Sequence, residues 1–123
     1  MEKFMFDTIR WKAFLRVTTK EKAEKLLRRL SKALDKEITI LHSEPYWKDS
    51  SLFEASFTTP LAAKDVHEAV FGALLSAGQV SYGWSVRCPS EYAGNKWDFA
   101  GETDKKIRIA GVISLEFEIK NYH

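Results

Sequence analysis

Residues 9–34, IRWKAFLRVTTKEKAEKLLRRLSKAL, change hydrophobic period once, and that change decides the fold class. Over the first nine positions Ile9, Trp11, Ala13, Leu15 and Val17 alternate with Arg10, Lys12, Phe14 and Arg16. Successive side chains of a strand point to opposite faces, so a period of two predicts a half-buried strand. From Ala23 the period lengthens. Ala23, Leu26, Leu27, Leu30, Ala33 and Leu34 recur at three- and four-residue spacing, which gathers them into one helical stripe. Between the two segments Thr18 precedes Glu21 by three positions, the spacing of a capping box at a helix start. Glu21 with Lys25, and Glu24 with Arg28, add favourable pairs one turn apart.

The same reading extends outward. Residues 37–42 predict a short strand, with Ile38 and Ile40 on one face and Thr39 and Leu41 on the other. A polar loop through Pro45, Tyr46, Trp47, Lys48, Asp49 and Ser50 follows. Residues 52–58 predict a strand with Phe53, Ala55 and Phe57 inward and Glu54 and Ser56 outward. Thr59-Pro60 suits a helix entry, because proline at the first helical position loses no needed hydrogen bond. Val66, Val70, Ala73, Leu74 and Ala77 predict the inner face of that helix, which Gly78 is suited to end.

Val80, Tyr82, Trp84 and Val86 restore a period of two, closed by Cys88-Pro89. Residues 89–105 are polar, with Trp97 and Phe99 marking a short strand. Ile107, Ile109, Ile113, Leu115, Phe117 and Ile119 then predict a long strand with a bend or bulge near Ala110-Gly111. Two strand-helix-strand units in series predict one α+β domain over residues 1–123. The expected fold is a ferredoxin-like βαββαβ sandwich with one or two extra C-terminal strands. The last strand would extend the sheet or form a hairpin with residues 96–100.

Composition narrows the function classes. With 45% hydrophobic and 29% charged residues in 123, the chain has the balance of a globular domain. No apolar run approaches the roughly 18 residues of a membrane span. The start, Met1-Glu2-Lys3-Phe4-Met5-Phe6, lacks a secretory signal pattern. One cysteine, Cys88, excludes an intramolecular disulfide and suits a reducing compartment, so a cytoplasmic location is expected. A net charge of +2 gives little long-range pull on nucleic acid or anionic lipid. The local exception is Lys20, Lys22, Lys25, Arg28, Arg29 and Lys32.

Catalytic and metal chemistry find no pattern. His42, His67 and His123 are scattered, without HExxH or CxxC spacing, and read as structural or frayed. Cys88, beside Pro89, has no neighbouring base and reads as a half-buried inert thiol. The glycines are dispersed, with no phosphate-cradling loop, and Glu102-Thr103-Asp104 lacks EF-hand ligand alternation. No catalytic residue, cofactor or metal is expected. RNA-binding sheets need aromatic rings on the open face. Here Phe53, Phe57, Tyr82 and Trp84 sit on apolar faces, while the opposite face carries Lys12, Phe14, Arg16, Glu54, Ser56, Ser85 and Arg87.

The distinctive residues are large rings in polar loops, Tyr46 and Trp47 in one, Tyr92 and Trp97 in the other. Acids stand near them: Glu44, Asp49, Glu91, Asp98, Glu102 and Asp104. Loop aromatics bury large areas at low entropic cost, which enriches them at interfaces. They equally pin long loops to a core.

Gly83-Trp84-Ser85-Val86, Trp97-Asp98-Phe99-Ala100-Gly101, Ile109-Ala110-Gly111-Val112 and Phe117-Glu118-Ile119 together resemble the small immunity proteins of bacterial polymorphic and contact-dependent toxin systems. The resemblance covers roughly the last third of the chain. It implies a non-enzymatic protein that binds a cognate toxin domain, commonly a nuclease, and occludes its active site. The expected contacts are Tyr46, Trp47, Asp49, Glu91, Tyr92, Trp97, Asp98, Glu102 and Asp104. Many such proteins are acidic whereas this chain is slightly basic, which shifts the expected recognition onto local acid patches. The alternative is a ferredoxin-like nucleic-acid-binding protein using the basic first helix.

Overall fold

The period change becomes a strand followed by a helix: β1 (Phe6–Leu15) leads into α1 (Lys20–Leu34). The computed structural model describes residues 4–122, so Met1, Glu2, Lys3 and His123 lie outside the described residues. The chain continues as β2 (Thr39–Pro45), β3 (Phe53–Ala63), α2 (Val66–Val80), β4 (Ser85–Val86), β5 (Ser90–Tyr92), β6 (Lys96–Thr103) and β7 (Val112–Lys120). It is an α+β structure. Seven antiparallel strands form one sheet in the order β2-β3-β1-β7-β6-β4, with β5 also paired to β6.

β1 is central, and its alternation sets the two faces of the sheet. Ile9, Trp11, Ala13 and Leu15 are at most 1% exposed and join the α1 stripe of Ala23, Leu26, Leu27, Leu30 and Leu34 in one core. Trp11 lies directly across from Phe57 of β3 and Phe117 of β7. It stacks on Phe57 at 6.1 Å and meets Phe117 at 5.9 Å and Trp84 at 6.2 Å. Its indole N–H donates to Thr59 Oγ1 at 2.9 Å, so the one polar atom of the ring is satisfied inside the core.

Helix boundaries differ from the sequence reading for local reasons. Thr19, not Thr18, caps α1: its extended backbone precedes the helix and its hydroxyl accepts from the Lys22 amide at 3.3 Å. Thr18 is still in the turn leaving β1, so no capping box with Glu21 forms. Thr59-Pro60 does not start α2, because β3 runs on through both residues. Pro60 pairs with Thr8, and its carbonyl accepts from Lys36 Nζ. A strand residue's amide and carbonyl point the same way, and β2 begins only opposite Thr58. The missing proline N–H therefore faces no ladder partner. Asp65 caps α2 instead, accepting from the Glu68 amide at 2.8 Å.

α2 passes Gly78 and ends at Val80, which overturns the strand expected over 80–86. Val80 is the last inward residue of the helix, Tyr82 is exposed, and Trp84 turns back to donate to the Ala77 carbonyl at 2.7 Å. Buried hydroxyls hold this exit. Ser81 Oγ donates to the Lys105 carbonyl and accepts from the Gly83 amide, while Thr103 Oγ1 reaches the Gly83 carbonyl at 2.9 Å. Only Ser85 and Val86 remain as strand.

The inner face of α2 is the expected one except at Leu74. Ala69, Ala73, Ser76, Ala77 and Val80 are buried and Val66 and Val70 pack partly buried against the core, whereas Leu74 is exposed. The sheet beneath already carries large rings, so the helix approaches on its small residues. At Gly72 an added Cβ would stand 2.8 Å from Leu61. The closing strand is shorter than expected. Ile107 makes only an isolated bridge to Ser81, the chain bends and turns through 108–111, Gly111 adopts φ +94°, and β7 starts at Val112 with a register shift against Phe14 and Leu15. β7 then both extends the sheet beside β1 and forms a hairpin with β6.

Candidate functional site

Both helices cover one face of the sheet, and the other face is open. It carries the alternate residues: Arg10, Lys12 and Phe14 of β1, Glu54 and Ser56 of β3, Glu116 and Glu118 of β7, Ala100 and Glu102 of β6. Together with Ser85 and Arg87 most of these line a trough of about 620 Å³. Small residues, Ser56, Ala100 and Gly101, are part of its lining. Gly101 lies against Phe117 from the core side, where a Cβ would come within 2.6 Å of the ring.

Strand register puts His42, Ser56, Lys12, Glu116, Glu102 and Ser85 in one line across six strands. His42 joins this line through a bulge. Ile40 is opposite Phe57 and His42 opposite Ser56, so Leu41 is the inserted residue, and His42 and Glu44 turn to the open face. The expected faces of β2 beyond Ile40 are changed accordingly. Glu54 Oε1 lies 3.4 Å from Lys12 Nζ and 3.8 Å from His42 Nε2. Elsewhere like charges oppose each other directly, Glu44 with Glu54 and Glu102 with Glu116. Such cross-strand pairs destabilise an isolated sheet.

Several of the loop residues singled out in the sequence occupy two corners of this face. In the loop after β2, Tyr46 packs edge-on to Phe14 at 4.8 Å and Trp47 stands 6.3 Å from Tyr46. Trp47 is 82% exposed, with Lys48 Nζ 5.0 Å from its ring centre. Asp49 serves its own turn: its carboxylate accepts from the Ser51 hydroxyl at 2.7 Å and the Ser51 amide at 2.9 Å. These bonds hold its pKa below the ordinary value.

At the other corner Tyr92 meets Tyr122 edge-on at 5.8 Å, and the Tyr122 hydroxyl donates to Asp98 Oδ2 at 2.7 Å. Glu91 is exposed opposite Trp97, and Asp104 is exposed just after β6. Trp97 itself faces the helix side and packs partly buried against the core. Its amide donates to Asn121 Oδ1 and its indole to Asn95 Oδ1, so it pins the β6–β7 hairpin. The corners stand at least three strand steps apart, roughly 15 Å. The trough lies between them, with Glu102 on its wall.

The trough is the part of the site that the loop argument missed. Its acids Glu116 and Glu118 are legible as the even positions of the closing strand. His42 is not, because a bulge leaves no mark on alternation. His42, His67 and Cys88 do not converge: His42 is on β2, His67 is exposed on α2, and Cys88 is exposed beyond β4 rather than half-buried. Among the described residues no group of three histidines, cysteines or acids could hold a metal ion, and no helix is long and apolar enough to cross a membrane.

The Tyr122–Asp98 contact has a pH signature. The hydrogen bond to Asp98 pushes the phenol up from its ordinary 10.0 to about 12. A raised pKa means that the folded chain holds this proton longer than the unfolded one. The contribution is complete below pH 10 and is lost as pH rises towards 12. An ultraviolet titration is expected to show one phenol ionising near 12, and Asp98→Asn should move that step back towards 10.

No family model matches the chain, and neither a curated protein nor a solved structure matches it.

Proposed function

We propose that this chain is a non-enzymatic immunity protein that binds a cognate toxin domain, a nuclease in the simplest case, on the open face of its sheet. One observation carries the reading. The trough is lined by Glu54, Glu102, Glu116 and Glu118 beside Arg10, Lys12 and Arg87, and Glu102 is set directly against Glu116 across the strands. The isolated chain pays for that arrangement, and a basic partner would relieve it. A nucleic-acid-cleaving domain needs a basic groove to hold its phosphate substrate. Its catalytic cleft is thus the kind of surface that the trough's carboxylates complement. Trp47 and Tyr92, exposed at the two corners, are suited to anchor the rim.

The arrangement also supports a ferredoxin-like reading of the fold. Strands β2-β3-β1-β7 with both helices on one face follow that plan, with β7 as the fourth strand and β4 to β6 inserted before it.

The reading frame beside this one in the source genome supplies the test. Its product should arrest growth when expressed alone, and co-expression of this chain should restore growth. Relief should disappear in a folded Trp47→Ala, Glu102→Lys double variant. A toxic neighbour left unrelieved by the wild-type chain would sink the reading. A second reading rests on six exposed cations of α1: Lys20, Lys22, Lys25, Arg28, Arg29 and Lys32. Salt-sensitive DNA or RNA binding, lost in Arg28→Glu with Arg29→Glu, would favour it instead.

A further inference from the structure

α1 concentrates the positive charge of the molecule. It holds six cations, Lys20, Lys22, Lys25, Arg28, Arg29 and Lys32, against two acids, Glu21 and Glu24. The resulting +4 exceeds the +2 of the whole chain, so the other residues together are net acidic. At about 3.6 residues per turn, Lys25, Arg28, Arg29 and Lys32 fall within roughly 100° of the helix circumference. They stand opposite the buried stripe of Ala23, Leu26, Leu27, Leu30 and Leu34, and all four are exposed. The row is convex, points away from the sheet and runs for about 10 Å along the axis.

An ordinary solvated helix face mixes its signs one turn apart. This one does not. Lys25 with Arg29, and Arg28 with Lys32, set like charges at four-residue spacing, which weakens a helix. Lys20 and Lys22 occupy the first turn, where the helix dipole favours anions. Glu21 is the one acid in the same sector as the row. Among the described residues none of the six cations has a carboxylate within 4.0 Å, so the pairs of Glu21 with Lys25 and Glu24 with Arg28 do not close.

What the row lacks narrows its partner. It carries no ring, so the bases of a single strand would find nothing to stack on. It carries no apolar side chain to centre a protein interface or to enter a lipid surface. Four long cations on a convex ridge fit a regular line of outward-facing phosphates, which is the backbone of a duplex.

We propose that the outward row of α1 binds the phosphate backbone of double-stranded nucleic acid without regard to base sequence, through Lys25, Arg28, Arg29 and Lys32. The proposal rests on the nucleic-acid reading of the basic helix and specifies its contacts. α1 lies on the opposite layer from the open sheet face, so a partner in the trough leaves the row free.

Fluorescence anisotropy of a labelled DNA duplex of mixed sequence, titrated with the full chain, tests it. Four phosphate contacts predict a slope of log affinity against log salt of about −3.6, or roughly a 150-fold loss between about 50 and 200 mM salt. Lys25→Gln with Arg29→Gln should bring the slope to about −1.8, with unchanged circular dichroism because neither side chain touches the core. Glu21→Gln, which removes the acid beside the row, should tighten binding, and a change of base sequence should leave the affinity unaltered. A duplex left unbound at low salt overturns the proposal and the nucleic-acid reading together, as does capture of the chain on phosphatidylglycerol vesicles in place of the duplex. Binding that keeps its slope in the double variant, prefers the single strand or follows base sequence overturns the proposal alone.

Discussion

Replacing Trp11 with alanine is expected to lower folding stability by about 3–5 kcal/mol, the range for deleting a large ring from a packed core. A domain of this kind has roughly 5–15 kcal/mol in total, so the variant sits near the edge of folding. The size of the effect follows from the position of the ring. Trp11 is on the central strand and touches Phe57, Phe117 and Trp84 at once, which ties both neighbouring strands to the exit of α2. Urea unfolding followed by far-ultraviolet circular dichroism measures it. Thr59→Val isolates the polar component. That change leaves the indole N–H buried without an acceptor and should cost about 1–3 kcal/mol. In a Trp11→Phe background the same substitution should cost clearly less, since no donor is then orphaned. Equal costs in both backgrounds would mean that the Trp11–Thr59 bond has no role in stability.

Reversing one trough charge is expected to move stability and binding in opposite directions. Glu102→Lys converts a like-charged pair with Glu116 into an attractive one, worth roughly 0.2–1 kcal/mol to the isolated chain. The same change presents a cation to a basic partner and should weaken that complex at least tenfold, about 1.4 kcal/mol. Urea unfolding and calorimetric titration against the toxin domain give the two numbers. A surface kept only for stability would gain in the first measurement and show no change in the second. Loss of both would indicate that Glu102 holds a structural contact of its own.

The elements most legible in the sequence were those whose hydrophobic pattern was long and one-sided. Both β1 and α1 belong here, because nine alternating residues and a leucine stripe leave little choice of period. The exit from α2 was not legible. Val80, Tyr82, Trp84 and Val86 alternate as a strand would, yet three of them have separate local reasons to be apolar: a helix end, an exposed ring packed with Arg108, and an indole folded back on Ala77. Proline at position 60 misled for a similar reason. Its cost depends on whether a neighbouring strand faces its nitrogen, and that is a property of the sheet. Of the candidate site, Trp47 and Tyr92 were visible as rings in polar loops and are exposed. Trp97 belongs to the same composition class but is turned inward by its place on β6.

The sequence by itself determined the class of the fold, the faces of β1, the α1 stripe and the scarcity of recognisable catalytic motifs, because each depends on spacing between near neighbours. Tertiary structure alone decided which strands pair, where α2 ends and which charges share the trough. Those outcomes depend on register between segments many residues apart. One inserted residue at Leu41 is enough to move His42 and Glu44 to the open face.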